Sequence, residues 1–454
     1  MTAGVRHLAF RFTIPAAGLT AMLVLALLYR AESQYYYRVL AFIGIEPFRY
    51  PFLDLQSVLA QVECWQRGID VYVKNSCGGF GYSPLWLRLA FLPGKEWTNP
   101  LGLCLTISFF LTLAVLPPPR SGRELLLRLV ATLSPVTAFA VERANIDLLM
   151  FVIATAAGVL LLRPLHKRVV AYAMIVIAGL LKIYPLVLMV VTLRERPRAF
   201  VWVNGVAAAV VLATYLYFHA EVMKMVPNIP HCDTSSDCFG AHLLPDLIAS
   251  SVAGTTHPRL ASLVKLSTFA ALFLAMVGWL VSVVRWRGFG VALARLPKPE
   301  KMFLLIGAAL ISGCFFAGSN VGYRGIYLLF TLPGLVAVAR KEGDLRVRRV
   351  AGYGCVVVVA LTWVGFFTWH GPFRQILASR IGHVAGEAVV QLLWIVSQIA
   401  WWQVVALFMA ILIGCSFEAV AEWGLLPPRA IRSWLGYSRF TPKILNPRTF
   451  GARH

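Results

Sequence analysis

Repeated apolar runs of about 18 or more residues, separated by short basic segments, constrain the fold of this chain more than any other feature. Of its 454 residues, 59% are hydrophobic, and the mean hydropathy is +0.73. A water-soluble protein of this length would not be this apolar. The sequence therefore predicts an all-α, polytopic membrane protein. Because no small-residue cleavage site follows the first run, we expect that run to be a retained span rather than a signal peptide.

The basic segments predict how the chain is oriented, since lysine and arginine collect in cytoplasmic loops. The predicted cytoplasmic segments are the N-terminus (Arg6, Arg11), Pro117–Arg123, Arg163–Arg168, Arg194–Arg198, Arg285–Lys301, Arg340–Arg349 and the tail after Glu422. The predicted spans are 13–30, 98–116, 125–141, 146–162, 199–218, 261–284, 302–317, 325–339, 350–368 and 388–416. The net charge of +22 is divided among these loops, which argues against nucleic acid as a partner.

One further apolar segment, 169–193, has basic residues at both ends. A single helix of this length would cross the bilayer and invert the side of every later loop. A break at Lys182–Pro185 restores the pattern, because proline cannot continue a helix cleanly and broken helices in membranes usually line a polar cavity. With this broken hairpin, the sequence predicts about 12 membrane segments in the cell inner (plasma) membrane, with both termini cytoplasmic.

The predicted organisation is a transmembrane unit over 1–423 and a basic cytoplasmic tail over 424–454. The tail mixes aromatic with basic residues and has no acidic residue after Glu422, so we expect it to lie on the anionic cytoplasmic leaflet. The predicted external stretches are 31–97, 219–260 and 370–387.

Cysteine positions agree with this topology. Cys104, Cys314, Cys355 and Cys415 fall in predicted spans, whereas Cys64, Cys77, Cys232 and Cys238 are external and face an oxidising compartment. Pairing as Cys64–Cys77 and Cys232–Cys238 is one of three possible connectivities. His231 and its two neighbouring cysteines lack a fourth ligand at metal-site spacing, so we predict no metal.

Asp54 is the first candidate for chemistry. Pro51 suits a helix start, and apolar residues follow it at helical spacing until Gly68, a suitable stop. Asp54 is thereby placed in the first helical turn, where the helix dipole favours the ionised carboxylate that a general base requires. The equally weighted alternative is that Asp54 only caps this helix.

Three more polar groups interrupt apolar runs near predicted outer helix ends, where ionisable residues are costly and are either functional or paired. Their structural alternatives are an internal pair of Arg143 with Glu142 or Asp147, snorkelling of Lys182, and an ordinary loop position for Arg324. The groups are Glu142, Arg143, Asn145 and Asp147; Lys182 and Tyr184; and Asn320, Tyr323, Arg324 and Tyr327.

The predicted topology places Asp54 and all three groups on the external side. There a carboxylate can activate a hydroxyl while Arg143, Lys182 and Arg324 stabilise a departing phosphate. The sequence has no Walker loop, no GxGxxG in a strand–helix context and no cytosolic domain large enough for a nucleotide sugar. An activated substrate must then be external and anchored in lipid, and we predict no cofactor.

The order of these elements resembles glycosyltransferase family 87, a group of polytopic, lipid-phosphate-sugar-dependent transferases that includes α-mannosyltransferases of phosphatidylinositol mannoside synthesis. The resemblance covers roughly residues 10–340. A looser match is Glu142-Arg143-Ala144-Asn145, and the family's later Ser-Pro-x-Ser-Trp and histidine-rich corner is replaced here by Gly318–Asn320 and Tyr323-Arg324. The matching motifs are Asp54-Leu55, Gly68, Val71-Tyr72, Phe80-Gly81-Tyr82-Ser83-Pro84-Leu85 and Lys182-Ile183-Tyr184-Pro185.

This resemblance implies a GT-C-type membrane fold with a long first external loop that carries an amphipathic helix. The implied donor is a polyprenyl-phosphate-linked sugar, most simply a mannosyl donor, and the implied acceptor is a hydroxyl of a lipid or glycan. Asp54 would act as the base of an inverting displacement, with Arg143, Lys182 and Arg324 on the donor phosphate. Substrate contacts would come from Tyr72, Tyr82, Glu142, Asn145, Asp147, Tyr184, Asn320 and Tyr323.

Two other classes stay open. A lipid or solute transporter or flippase also uses broken helices and buried ions, but its charges should lie near the bilayer midplane and its halves should repeat. The sequence shows no internal repeat. The third class is a structural or assembly membrane protein that catalyses no reaction.

Overall fold

The computed structural model describes residues 3–45, 48, 50–73, 75–89, 91–229, 232, 238–253, 257–318, 320–340, 344–367 and 372–425. Over these residues the chain is mostly helical, as the apolar runs predict. The α-helices, numbered in chain order, are α1 (Ala3–Ala31), α2 (Ser33–Phe42), α3 (Leu53–Gln66), α4 (Thr98–Leu113), α5 (Gly122–Thr132), α6 (Pro135–Arg143), α7 (Ile146–Leu161), α8 (Leu165–Leu181), α9 (Pro197–Tyr217), α10 (His219–Met225), α11 (Leu243–Ala253), α12 (Pro258–Val284), α13 (Arg287–Ala294), α14 (Lys298–Ala317), α15 (Leu332–Arg340), α16 (Leu345–Thr362), α17 (Val364–Phe367), α18 (Pro372–Ile381) and α19 (His383–Glu422).

Shorter elements connect these helices. Strands β1 (Cys238–Phe239) and β2 (Asn320–Val321) pair antiparallel, with Cys238 opposite Val321 and Phe239 opposite Asn320. The described residues also form 3-10 helices, two of which are long for a type that rarely exceeds about four residues. The 3-10 helices are Pro84–Arg88, Lys95–Trp97, Tyr184–Arg194, Val226–Asn228 and Gly322–Phe330.

Several helices are suited to a membrane. Among the described residues, five helices are long and apolar enough to cross a bilayer: the Ala9–Ala31 part of α1, α9, α12, α14 and α19. Two bent pairs, α5 with α6 and Gly322–Phe330 with α15, raise the number to seven if each pair is one span. The class is therefore a helical membrane protein. The prediction of about 12 segments stays a prediction, since helices such as α4, α7 and α8 are shorter than a full span.

One predicted span is bent. Residues 125–141 are predicted as one span, and in the structure α5 and α6 meet there at an angle of 46°. Ser134 accepts a hydrogen bond from the Thr137 amide, and Pro135 occupies the first turn of α6. Because proline lacks the N–H that would continue α5, the helix restarts here in a new direction.

Burial separates a central helix from peripheral ones. In α14, 72% of the most apolar window is buried within the protein, whereas in α9 only 6% is buried. Side chains such as Trp202 and Leu216 on α9 are exposed, as expected of a helix that faces lipid. The central helix packs on α7 and on the 3-10 helix Gly322–Phe330 through stacked rings of Phe151, Phe303 and Phe330. These three elements form the floor beneath the polar residues described below.

The predicted break at Lys182–Pro185 is present. Helix α8 ends at Leu181, Lys182 is extended, and a 3-10 helix begins at Tyr184 and packs back against α8. A Cβ atom on Gly179 would lie 2.3 Å from the Leu186 side chain, so the close approach of the two arms requires glycine. The indole N–H of Trp86 donates to the Leu181 carbonyl at 3.1 Å and satisfies a backbone group that the break leaves free.

Disulfides join the four cysteines of the predicted external stretches in pairs. The structure bonds Cys64 to Cys77 and Cys232 to Cys238, with Cα atoms 6.7 and 6.2 Å apart. The four cysteines in predicted spans are free. The tail over 426–454, most of the predicted tail, and His231 of the rejected metal site lie outside the described residues. Part of the external stretch 370–387 also lies outside them.

Candidate functional site

Asp54 lies in the first turn of α3, as the sequence predicts, and its side chain reaches the end of α6. One carboxylate oxygen is 2.9 Å from Nη2 of Arg143, and the other accepts a hydrogen bond from Nδ2 of Asn145. The Phe52 amide, whose residue has a left-handed φ of 63°, donates to the Glu142 carbonyl at 2.6 Å. Asp54 is thus held by partners on another helix and does not simply cap its own.

Arg143 keeps donors that no described residue uses. Its guanidinium stacks 3.6 Å from the ring centroid of Phe48 and 5.8 Å from that of Phe139. Nη2 pairs with Asp54, but Nε and Nη1 are buried and have no hydrogen-bond partner among the described residues. Buried unsatisfied donors are costly, so this pair of N–H groups is suited to an incoming acceptor.

Asn145 connects the two carboxylates of the site. Ala144 takes a left-handed φ of 42° and turns the chain from α6 into α7, and Asn145 then caps α7 by accepting from the Asp147 amide at 2.9 Å. Its Oδ1 atom is also 3.4 Å from Nζ of Lys182, while its Nδ2 atom donates to Asp54. Neither internal pair considered for this motif forms, because Arg143 pairs with Asp54 rather than with Glu142 or Asp147.

Asp147 is the centre of the buried half of the site. It is 0% exposed, with Oδ1 2.8 Å from Nζ of Lys182 and Oδ2 3.4 Å from Nε of Arg324. The Tyr184 hydroxyl donates to it, and the Tyr327 hydroxyl donates to Oδ1 at 3.1 Å. Lys182 therefore does not snorkel to the surface, and Arg324 is not an ordinary loop residue.

Asn320 holds the part of the Arg324 guanidinium that does not face Asp147. Its Oδ1 accepts from Nη1 of Arg324, and its Nδ2 donates to the carbonyls of Cys314 and Gly318. Pairing of β2 with β1 holds Asn320 opposite Phe239, so the segment that carries the Cys232–Cys238 disulfide is connected to the site.

Tyrosines surround the cations. The ring of Tyr82 lies 5.7 Å from Nζ of Lys182, and the ring of Tyr184 lies 5.4 Å from the guanidinium carbon of Arg324. Tyr323 packs edge-on against Phe139, 5.5 Å away. Burial raises the pKa of Tyr82 above its usual value, and the nearby carboxylates raise it further, so its hydroxyl stays protonated.

The side chains of two expected substrate contacts form no hydrogen bond with this network among the described residues, although the Glu142 carboxylate interacts electrostatically with Arg143 and Asp54. Tyr72 packs against Trp65 and Phe80, and its hydroxyl has no hydrogen-bond partner among the described residues. The Glu142 carboxylate is buried, likewise without a partner there, and it interacts electrostatically with Tyr36 on α2. Among the described residues, neither side chain forms a hydrogen bond with Asp147 or Lys182.

The network as a whole carries one excess positive charge. Three cations, Arg143, Lys182 and Arg324, contact two carboxylates, Asp54 and Asp147. Only one of the two carboxylates is accessible, since Asp54 is 15% exposed and Asp147 is 0% exposed. No group of three potential metal ligands occurs among the described residues. This arrangement can bind an anion next to one usable carboxylate.

Sequence reasoning missed Phe48, and it placed Tyr327 in a candidate group without assigning it a role. Phe48 carried no signal, because its contact with Arg143 depends on the folded loop. Tyr327 follows Arg324 by three residues, the spacing that aligns side chains on one face of a 3-10 helix. That spacing would have identified it as a second donor toward the same carboxylate.

The fold and the site define a helical membrane protein with a largely buried, positively charged network of ion pairs. One carboxylate of that network, Asp54, is accessible. No family model, curated protein or solved structure matches the chain.

Proposed function

We propose that this protein is a membrane glycosyltransferase. It would move a hexosyl or pentosyl residue, most simply mannosyl, from a polyprenyl-phosphate sugar to a hydroxyl of a lipid or glycan acceptor. The observation that carries the proposal is a connected network of three cations and two carboxylates, of which only Asp54 is accessible, with two N–H groups of Arg143 unused by the described residues. The motif order that resembles glycosyltransferase family 87 supports the same assignment.

The proposed reaction is a single displacement. Asp54 removes the proton from the acceptor hydroxyl as its oxygen attacks the anomeric carbon, and the bond from that carbon to the phosphate oxygen breaks. The phosphate leaves with the electron pair on the opposite face of the sugar, so the configuration inverts. Because the leaving group is already an anionic phosphate, the reaction needs no general acid.

Each cation has a part in binding that phosphate. Arg143 offers Nε and Nη1, and Lys182 and Arg324 offer donors that Asp147 does not occupy. Charge stabilisation by donors already in place is an effective way to lower the barrier as charge develops on a leaving group. The single excess positive charge of the network suits a singly charged phosphodiester.

Asp54 has the position that a base requires. It is partly exposed, and its two carboxylate oxygens are held in place by Arg143 and Asn145. Asp147 cannot take this role, because it is fully buried behind Lys182 and Arg324.

We also propose the cellular setting from the charge pattern of the loops. The protein would span the cell inner (plasma) membrane, with both termini cytoplasmic and the site facing the periplasm or exterior. Its partners would be the lipid-linked donor, the acceptor and membrane lipids.

The competing function is transport. The break at Lys182 and the buried ion pairs beside it are features that transporters share. One observation argues against transport. The accessible carboxylate of the network, Asp54, lies on α3, which is not one of the candidate spans. A transporter would move a lipid or solute without forming a new glycosidic bond.

The test is a transfer assay on the purified, full-length protein in lipid nanodiscs. Several polyprenyl-phosphate sugars, each radiolabelled in the sugar, are offered together with a membrane lipid extract as the acceptor source. We expect label to enter a new product while free polyprenyl phosphate is released in equal amount. Movement of lipid-linked sugar across proteoliposomes, with no new product from any donor, would overturn the proposal in favour of transport.

A further inference from the structure

Asp147 was expected to contact substrate, but the structure gives it a different position. Its side chain is 0% exposed and is enclosed by Lys182, Tyr184, Arg324 and Tyr327. A ligand in the site would meet the cations first and would not reach this carboxylate.

The two oxygens of Asp147 hold two different cations. Oδ1 lies 2.8 Å from Nζ of Lys182, and Oδ2 lies 3.4 Å from Nε of Arg324. Lys182 comes from the break after α8, and Arg324 comes from the 3-10 helix Gly322–Phe330. The two residues are 142 positions apart in the sequence. One carboxylate thus sets the spacing of two positive groups that belong to separate elements.

Asp147 is itself held from several sides. The Tyr327 hydroxyl donates to its backbone carbonyl at 3.2 Å and to Oδ1 at 3.1 Å, and the Tyr184 hydroxyl also donates to Oδ1. Asn145 caps its amide at 2.9 Å. A charged group fixed in this way costs little reorganisation when a ligand binds to the cations it holds.

We propose that Asp147 is the positioning residue of the anion site, which holds Lys182 and Arg324 at the spacing needed to bind one phosphate between them. This inference rests on the proposed function, because it assumes that the cations bind a lipid-linked phosphate. Asp147 itself contacts no atom of the substrate.

The proposal predicts a change in anion affinity that is opposite to the one expected from charge alone. If the site attracts an anion by charge alone, replacing Asp147 by asparagine removes a repelling negative charge and tightens binding. If Asp147 positions the cations, the same change releases Lys182 and Arg324 from their shared partner and weakens binding. At metal sites, loss of a partner that orients a ligand weakens binding by about 10–100-fold, and we expect an effect of the same order here.

The experiment measures binding of dodecyl phosphate, and separately of inorganic phosphate, to the full-length protein in nanodiscs of neutral lipid. We expect Asp147→Asn to weaken dodecyl phosphate binding by about tenfold or more. Tyr327→Phe, which alters no charge and removes the hydroxyl that contacts Asp147 and Tyr184, should weaken it by a few-fold. Weaker binding of inorganic phosphate than of dodecyl phosphate to the unaltered protein would identify a lipid phosphate as the ligand.

Asp246→Asn is the matched control. It removes the same charge from an ion pair with Lys265 on α11 and α12, outside the network, and should leave binding unchanged. Tighter or unchanged binding by a folded Asp147→Asn protein would overturn the positioning role. If that variant does not fold, unchanged binding by Tyr327→Phe overturns it instead. Failure of the unaltered protein to bind either phosphate would reject the proposed function itself.

Discussion

Replacement of Asp54 by asparagine separates a catalytic base from a structural ion-pair partner. Asparagine has almost the same size and caps helices about as well as aspartate, so α3 should form normally. It cannot accept a proton from a hydroxyl, and it loses the charge that faces Arg143 at 2.9 Å. It also cannot keep acceptor oxygens toward both Arg143 and Asn145, because one of its two terminal atoms is a donor.

The two roles differ in the size of their effects. A lost hydrogen bond to a charged group costs about 1.5–3 kcal/mol, so some loss of folding stability is expected in either case. Loss of a general base lowers the rate by about 10²–10⁴-fold, which raises the barrier by about 2.7–5.5 kcal/mol. We therefore expect a folded protein with a rate at least about a hundredfold lower.

The assay is single-turnover transfer from a saturating donor, with thermal unfolding measured on the same preparation. Asp70→Asn is the control, since Asp70 is another ion-paired carboxylate of the same predicted external stretch but is the partner of the exposed Lys224. It should lose at most about 1 kcal/mol of stability and none of the activity. Near-normal transfer by folded Asp54→Asn protein would refute the assignment of the base.

Three further predictions concern the donor site, the topology and the disulfides. Lys182→Met and Arg324→Met should raise the KM for the donor about tenfold or more, through lost contacts with the phosphate, and should also lower kcat, because these cations stabilise the leaving phosphate; an unchanged KM would contradict this. A reporter fused after Arg196 should be cytoplasmic and one fused after Thr234 external; an external signal at Arg196 would reject the hairpin. Non-reducing mass mapping should find two disulfides, Cys64–Cys77 and Cys232–Cys238. Free thiols at all four of these positions would contradict the predicted oxidising compartment.

The sequence predicted that four charged residues would lie together, because the predicted topology placed all of them on the same side of the membrane. Asp54, Arg143, Lys182 and Arg324 all belong to one connected network in the structure. The break after Leu181 was also predictable, since a lysine followed by a proline cannot lie comfortably within a membrane helix.

The sequence could not predict which charged residues form ion pairs with each other. Asp147 contacts Arg324 across a sequence separation of 177 residues, and only the folded arrangement of α7 and the 3-10 helix brings them together. For the same reason, Asp147 looked like a substrate contact although it is enclosed by its partners. The 46° bend at Pro135 had a local signal, but the apolar pattern on both sides favoured one continuous span.

The most direct test of the central claim is an experimental structure of the protein in nanodiscs with bound polyprenyl phosphate. The account predicts the phosphate within hydrogen-bond reach, about 3 Å, of at least two of the three cations Arg143, Lys182 and Arg324, and on the accessible side of Asp54. Asp147 should stay enclosed and make no contact with the ligand. A phosphate bound elsewhere, with these cations still paired only to Asp54 and Asp147, would contradict the account.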